Sequence, residues 1–375
     1  MVQMRASRVG SDFKVAEFFA GMGLVRKAIE PAGFRVVFAN DVDPVKHSLY
    51  QANFGAAEFQ LGDVRDLRGS ETPCVDLATA SFPCTDFSLA GNREGLQGKQ
   101  SSLLLEFLRI LEEMKGQRPA AVLLENVPGF LTSNGGRDLR LAIESLNGLG
   151  YSCDILQIDA RNFLPQSRQR LFIVAALDAA VPLESGVEIS NIRPKSVCAF
   201  FAQNLDLRLH CAQLPKISPV SQGLESVVDR FNLGDPIWWP RKRLDSFLNS
   251  MSSIQAKRLD ARRTSPKKSW ATAFRRTRNG KPVWEVRPDN ISGCLRTTRG
   301  GSSKQAIVEA GHRKVQARWM TAQEYARLQG AEDMTLDAVS ESQARFALGD
   351  AICVPAVSWL AQQYLRRIMR VSRKV

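Results

Sequence analysis

The chain has 375 residues, 44% hydrophobic and 24% charged, with a formal net charge of +13. That length exceeds one small core and sets about two domains as the expectation, while no stretch approaches the roughly 20 apolar residues of a membrane span. The first eleven residues lack the apolar centre of a secretory signal. Seven cysteines (Cys74, Cys84, Cys153, Cys198, Cys211, Cys294, Cys353) without a C-x-x-C pair argue for a reducing cytoplasm, and against a disulfide framework or zinc cluster. With only His47, His210 and His312 available, no metal site is expected.

From the N-terminus, short apolar runs alternate with helical patterns. Strands are predicted at Lys14–Phe18, Arg35–Ala39, Glu58–Leu61, Val75–Ala80, Ala120–Glu125, Ser152–Asp159 and Leu171–Ala176, and helices at Leu24–Ala32, Pro44–Ala52, Ser102–Met114 and Asp138–Leu149. Strand–helix alternation at this spacing implies an α/β domain with a parallel sheet covered on both faces. The last two strands follow each other without a helix and are expected to pair antiparallel at the edge.

The turns after these strands carry the polar residues. Phe19-Ala20-Gly21-Met22-Gly23 follows the first strand and opens a helix, as a ligand-approaching turn does. A dinucleotide fingerprint would need a third glycine where Arg26 stands, so NAD is disfavoured and a smaller adenosine cofactor stays open. Asp41 and Asp63 end the next two strands. Each alone reads more readily as a helix cap; in this order behind a glycine turn they suggest a nucleoside pocket. Cys84, after Ser81-Phe82-Pro83, stands at the mouth of the fourth strand, and Glu125-Asn126-Val127 ends the fifth. A lone cysteine is more often an inert buried thiol, but Cys84 and Glu125 on one sheet edge suggest nucleophile and general acid. Gln166-Ser167-Arg168-Gln169-Arg170 leads into the seventh strand, where alternation would put Arg168 and Arg170 on one face.

Residues 1–190 carry 19 basic and 23 acidic side chains, whereas residues 191–300 carry 21 and 8, so this segment equals the whole excess of charge. Its densest part, Lys257 to Arg278, sets nine basic residues against Asp260, and Trp238, Trp239, Trp270 and Trp284 lie in the same segment. Interleaved basic and aromatic residues suit a phosphate backbone and exposed bases. Order resumes at Arg318: Thr321 and Glu324 form a capping box for a short helix stopping at Gly330, and a longer helix is predicted from Cys353 to Met369.

Taken together, Phe19-Ala20-Gly21-Met22-Gly23, Pro83-Cys84, Glu125-Asn126-Val127, Gln166-x-Arg168-x-Arg170 and Gly349-Asp350-Ala351-Ile352-Cys353-Val354-Pro355 resemble, in order and spacing, the cytosine-C5 DNA methyltransferases. The resemblance implies a Rossmann-like, mostly parallel S-adenosylmethionine-dependent sheet in residues 1–190 and 305–375, with a smaller irregular target-recognition domain in 191–304. It implies that Cys84 adds to C6 of a cytosine flipped from duplex DNA, that Glu125 serves ring N3, and that Arg170, with Arg168 nearby, holds O2. S-adenosyl-L-methionine would lie against Phe19, Ala20, Gly21, Met22, Gly23, Asp41, Val42, Asp63, Val64, Pro83, Asp350 and Ala351, leaving as S-adenosyl-L-homocysteine, with no metal. Ser88, in a glycine-bearing loop from Thr85 to Gln100 that suits a lid, matches a serine near the DNA backbone; Arg262, Arg263, Lys267, Lys268, Arg275, Arg276 and Arg278 are the expected DNA contacts. Three positions depart from the family pattern: Leu24 for a third glycine, Val42 for an aromatic, and Asp350 for asparagine. The expected partner is double-stranded DNA; as half of a restriction-modification pair the enzyme would share its site with a separate restriction endonuclease, and as an orphan methylase it would not. The expected form is a cytoplasmic, nucleoid-associated monomer. A tRNA cytosine methyltransferase and a catalytically silent DNA-binding homologue are the alternatives.

Overall fold

In the computed structural model, residues 12–83, 102–177, 187–232, 234–278, 280–297 and 304–372 are described. The apolar runs of the first half become β1 (Phe13–Phe18), β2 (Phe34–Asp41), β3 (Phe59–Leu61), β4 (Leu77–Ala80), β5 (Ala121–Asn126), β6 (Tyr151–Asp159) and β7 (Gln169–Leu177). They form one sheet in the order β3-β2-β1-β4-β5-β7-β6. The first five strands pair in parallel. β7 is antiparallel to both β5 and β6, so it inserts between them rather than flanking the edge. Every residue of β4 and β5 is buried, as central parallel strands require.

Helices cover both faces. α1 (Leu24–Ile29) packs one face together with the C-terminal helices, while α3 (Leu103–Glu113) and α5 (Arg137–Gly148) cover the other. Between them in sequence lie α2 (Pro44–Phe54) and the short α4 (Gly129–Thr132). α2 begins where Asp43 accepts hydrogen bonds from the N–H groups of Val45 and Lys46, with Pro44 in the first turn. Arg26, in α1, lies over the Phe54 ring at 5.0 Å and pairs with Glu30 and Glu58, filling the space a third fingerprint glycine would leave.

The middle segment forms the smaller, largely irregular domain expected, and it carries a few regular elements. After α6 (Lys195–Gln203) come α7 (Arg241–Asn249), α8 (Ser253–Thr264), β8 (Ser269–Arg278), β9 (Lys281–Val286), β10 (Ala306–Gly311) and β11 (Lys314–Trp319). These four strands form an antiparallel sheet, β11-β10-β8-β9. The sheet crosses the expected boundary at 304/305, because β10 pairs with β8. In the other direction, Ile192, Val197, Ala212, Ile217, Leu224 and Val228 pack in the cores of the larger domain. The small domain has its own core, with Trp239, Phe247, Leu259, Ala271, Ala273 and Val308 at its centre.

α9 (Ala322–Gln329) carries the capping box of Thr321 and Glu324 and ends at Gly330, whose φ of 73° suits glycine. α10 (Glu341–Asp350), α11 (Val354–Leu360) and α12 (Arg366–Ser372) follow, the last two joined by a π-helical turn. The run Glu341–Ser372 is long and apolar enough to cross a membrane by composition. Its apolar residues are spent otherwise: Leu360, Ala361, Leu365 and Ile368 are buried in the core that includes Val25 and Ile29 of α1.

Candidate active site

The strand order reverses at β1, which has β2 on one side and β4 on the other. In open α/β sheets, ligands bind at the carboxyl ends of the strands beside such a switch point. The glycine turn after β1, Pro83 after β4 and Glu125 near the end of β5 all stand along that edge. Cys84 and Ser88 lie outside the described residues. Their anchor is described: Asn126 Nδ2 donates to the Phe82 carbonyl at 3.1 Å, tying the segment that leads into Cys84 to the end of β5. By contrast, Cys153 is buried within β6, where burial and Asp154 push its thiol up and suit it poorly to nucleophilic attack.

Glu125 is buried, and Arg170 Nε lies 2.8 Å from its Oε1. The antiparallel register makes this contact, since Asn126 faces Leu171 and Arg170 comes one residue earlier on β7. Burial pushes the Glu125 carboxyl up, against the pull of Arg170 and Arg168. The result is a buried acid inclined to keep its proton and fixed by one guanidinium.

Arg168 is placed differently from the expectation. It precedes β7, so strand alternation does not govern its direction. It is 1% exposed, and its guanidinium donates to the carbonyls of Leu295 (2.9 Å), Gly349 (3.3 Å) and Ala351 (2.5 Å). Gln166 works beside it, accepting from the Leu295 N–H and donating to the Leu328 carbonyl. The Gln-x-Arg-x-Arg motif therefore divides: Gln166 and Arg168 staple three chain segments, and Arg170 serves Glu125.

On the cofactor side, Phe19 holds a φ of 55° and Gly21 one of 58°. Asp41 accepts from the N–H groups of Gly21 (2.8 Å) and Asp43 (2.9 Å), and each of its oxygens keeps a lone pair. Gly23 caps α1 with a φ of 87°, where a Cβ would come within 2.5 Å of the Phe54 ring. Ala20, Met22 and Val64 are buried; Val42, where an adenine-stacking aromatic was the family pattern, is 63% exposed. Asp63 accepts from the Arg65 N–H and lies 3.5 Å from its guanidinium. Asp350 pairs with Lys46 at 2.8 Å, and the Ala351 carbonyl is held by Arg168 and Gln329. A positive-φ turn open to a ligand, an acid behind it and an exposed apolar side chain next to that acid fit S-adenosylmethionine. Lys46 went unrecognised in the sequence; the signal was Asp350, an unexpected carboxylate that needs a counter-charge.

The basic segment also resolves. Arg262, one of the expected DNA contacts, is half-buried and donates to the carbonyls of Trp270 and Pro288. Arg263 pairs with Asp260 and Lys268 with Glu309, while Arg276 and Arg278 share Glu285. Lys267, Arg276 and Arg278 are exposed and Arg275 is half-buried. The tryptophans are largely interior: Trp239 packs against Trp284 at 5.4 Å and Trp319 at 5.1 Å, and Trp238 lies over Arg318. Among the described residues, no group of three His, Cys, Asp or Glu side chains could hold a metal ion.

Comparison with known proteins matches this arrangement. The Dnmt2 methyltransferase of S. pombe has the same fold, with a TM-score of 0.63 at 19% identity over 94% of this chain and 97% of that one. The type II methyltransferase M.MspI of Moraxella sp is 35% identical over 49% of this chain, an alignment spanning 43% of that enzyme. The type II methyltransferase M.HaeII of Haemophilus aegyptius is 27% identical over 97% of this chain and 96% of its own length. The family model for C-5 cytosine-specific DNA methylase matches residues 13–366, across both sheets. The chain belongs to that family, the S-adenosylmethionine-dependent enzymes that methylate cytosine C5 in DNA.

Proposed function

We propose that this chain flips a cytosine out of duplex DNA and methylates its C5 through a covalent adduct between Cys84 and C6. The observation that carries the reading is the buried Glu125–Arg170 pair on β5 and β7, beside the Phe82–Asn126 tie that anchors the approach to Cys84. Cytosine C5 is a poor nucleophile, and thiolate addition at C6 makes it an enamine carbon. Glu125, whose pKa burial raises, gives its proton to ring N3 as negative charge develops there. Arg170 holds the Glu125 carboxyl and the ring O2. S-adenosylmethionine supplies the methyl group. Loss of the C5 proton to a water molecule then expels Cys84 as the thiolate, and N3 returns its proton to Glu125, which restores the ring.

Arg168 acts as a positioning residue in this reading, because both of its Nη groups donate to backbone carbonyls. The large sheet with its helices forms the catalytic part, and the small domain built on β8, β9, β10 and β11 reads the DNA. Lys267, Arg275, Arg276 and Arg278, with Arg263 and Lys268, face the phosphates. The relatives named type II methyltransferases support a modification enzyme; a separate restriction endonuclease acting on the same site is its proposed partner. The enzyme works as a cytoplasmic monomer on the nucleoid. Transfer of tritiated methyl groups from S-adenosylmethionine, offered duplex DNA and tRNA in parallel, tests the reading. Label in DNA is the expected result; label in tRNA alone would overturn it.

A further inference from the structure

Lys46 and Asp350 make an ion pair that the family resemblance does not supply, since asparagine is the usual residue at 350. Lys46 Nζ lies 2.8 Å from Asp350 Oδ2, with the side chains 16% and 40% exposed. The lysine stem runs over the glycine turn: its Cδ is 3.9 Å from where a Cβ on Gly21 would sit. Both charges stand at unfavourable helix ends. Lys46 is in the first turn of α2, where the macrodipole is positive, and Asp350 is the last residue of α10, where it is negative. Helix stability would prefer the reverse. The pair is nonetheless rigidly placed, because Arg168 holds the carbonyls on either side of Asp350, at Gly349 and Ala351, and the Asp43 cap fixes the start of α2.

We propose that Lys46 and Asp350 bind the amino-acid head of S-adenosylmethionine, Lys46 taking its α-carboxylate and Asp350 its α-ammonium. This rests on the cofactor assignment made above. With a ribose at Asp41, the far end of the cofactor comes to the glycine turn, and the Lys46–Asp350 pair lies there. A zwitterion is the complement of an ion pair: entering between the two, it leaves each charge with an opposite partner, so little desolvation is left uncompensated. Burial opposes the Lys46 charge, but Asp350, Asp41 and Asp43 outweigh it and hold the ammonium above the usual lysine range, so it is cationic whenever the head group arrives.

Two ligands separate this role from a structural one. S-adenosylhomocysteine carries the zwitterionic head, and 5′-methylthioadenosine keeps the adenosine and thioether but ends in a methyl group. Calorimetric titration of both into wild type, Lys46→Met, Lys46→Arg and Asp350→Asn is the test. Lys46→Met is expected to weaken S-adenosylhomocysteine about tenfold or more, the scale of a lost charge-assisted hydrogen bond, and to leave methylthioadenosine within about twofold. Asp350→Asn should show the same selectivity, and Lys46→Arg should recover most of the affinity. Intact methylthioadenosine binding also reports a folded pocket. Equal weakening of both ligands, or of neither, would overturn the proposal while leaving the cofactor site standing. Failure of the wild type to bind S-adenosylhomocysteine would remove both.

Discussion

Glu17 gives a sharp test of how burial sets ionisation in this sheet. It lies in β1, two residues before the turn at Phe19, is 1% exposed, and neither carboxylate oxygen has a well-aligned hydrogen bond. Burial pushes its pKa from 4.5 to about 8, against the pull of the Arg26 backbone N–H and guanidinium. Between those values the folded chain holds a proton that the unfolded chain has released. Stability from this group is therefore fully present below pH 4.5 and falls by about 1.4 kcal/mol per pH unit as pH rises, until Glu17 ionises in the folded state. The loss across the window comes to about 5 kcal/mol, with about 3 kcal/mol of it reached by pH 7. Glu17→Gln keeps the shape and removes the titration. Urea unfolding of both proteins at pH 5, 7 and 9 measures the difference. The variant should gain about 4 kcal/mol on wild type between pH 5 and pH 9, with the urea slope unchanged. A difference that stays constant over this range would refute the reasoning.

Three other outcomes follow from named contacts. Glu125→Gln should lower kcat by about 10²–10⁴-fold, and wild-type kcat/KM should fall as pH rises through the raised Glu125 pKa; an active, pH-insensitive Glu125→Gln would remove it as the acid. Arg168→Met should destabilise the fold by about 3 kcal/mol in urea, removing the guanidinium donor from the carbonyls of Leu295 and Gly349 and leaving that of Ala351 to Gln329, whereas Arg170→Met should cost activity more than stability; equal stability losses would show the division within the motif to be wrong. Replacing Arg275, Arg276 and Arg278 together by alanine should flatten the log–log salt dependence of duplex binding by up to about 2.7, near 0.9 per phosphate contact. An unchanged slope would remove the β8–β9 hairpin from the interface.

The large sheet was legible because its central strands are buried on both faces, which leaves runs such as Ala121–Leu124 with no polar interruption. The small sheet was not. In β8, inward Ala271 and Ala273 are followed by Arg275, Arg276 and Arg278, and the strand is made by pairing with β10, more than 30 residues later. Basic and aromatic residues side by side read as a nucleic-acid surface, yet Trp239, Trp284 and Trp319 meet only in three dimensions to form a core. Glu125 and Arg170 were found by motif and joined by register. Arg168 was misdirected because strand alternation was applied one residue before β7 begins. Lys46 and Asp350 are separated by 304 positions, so no local pattern could pair them.

The most direct test of the central claim is the covalent step itself. Duplex DNA carrying 5-fluorocytosine at the methylated site cannot lose a C5 proton, so the Cys84 adduct should accumulate. With S-adenosylmethionine, the wild type should give a DNA–protein band that survives denaturant, and Cys84→Ala should give none. An adduct that persists in Cys84→Ala, or methyl transfer by that variant at the wild-type rate, would contradict the account.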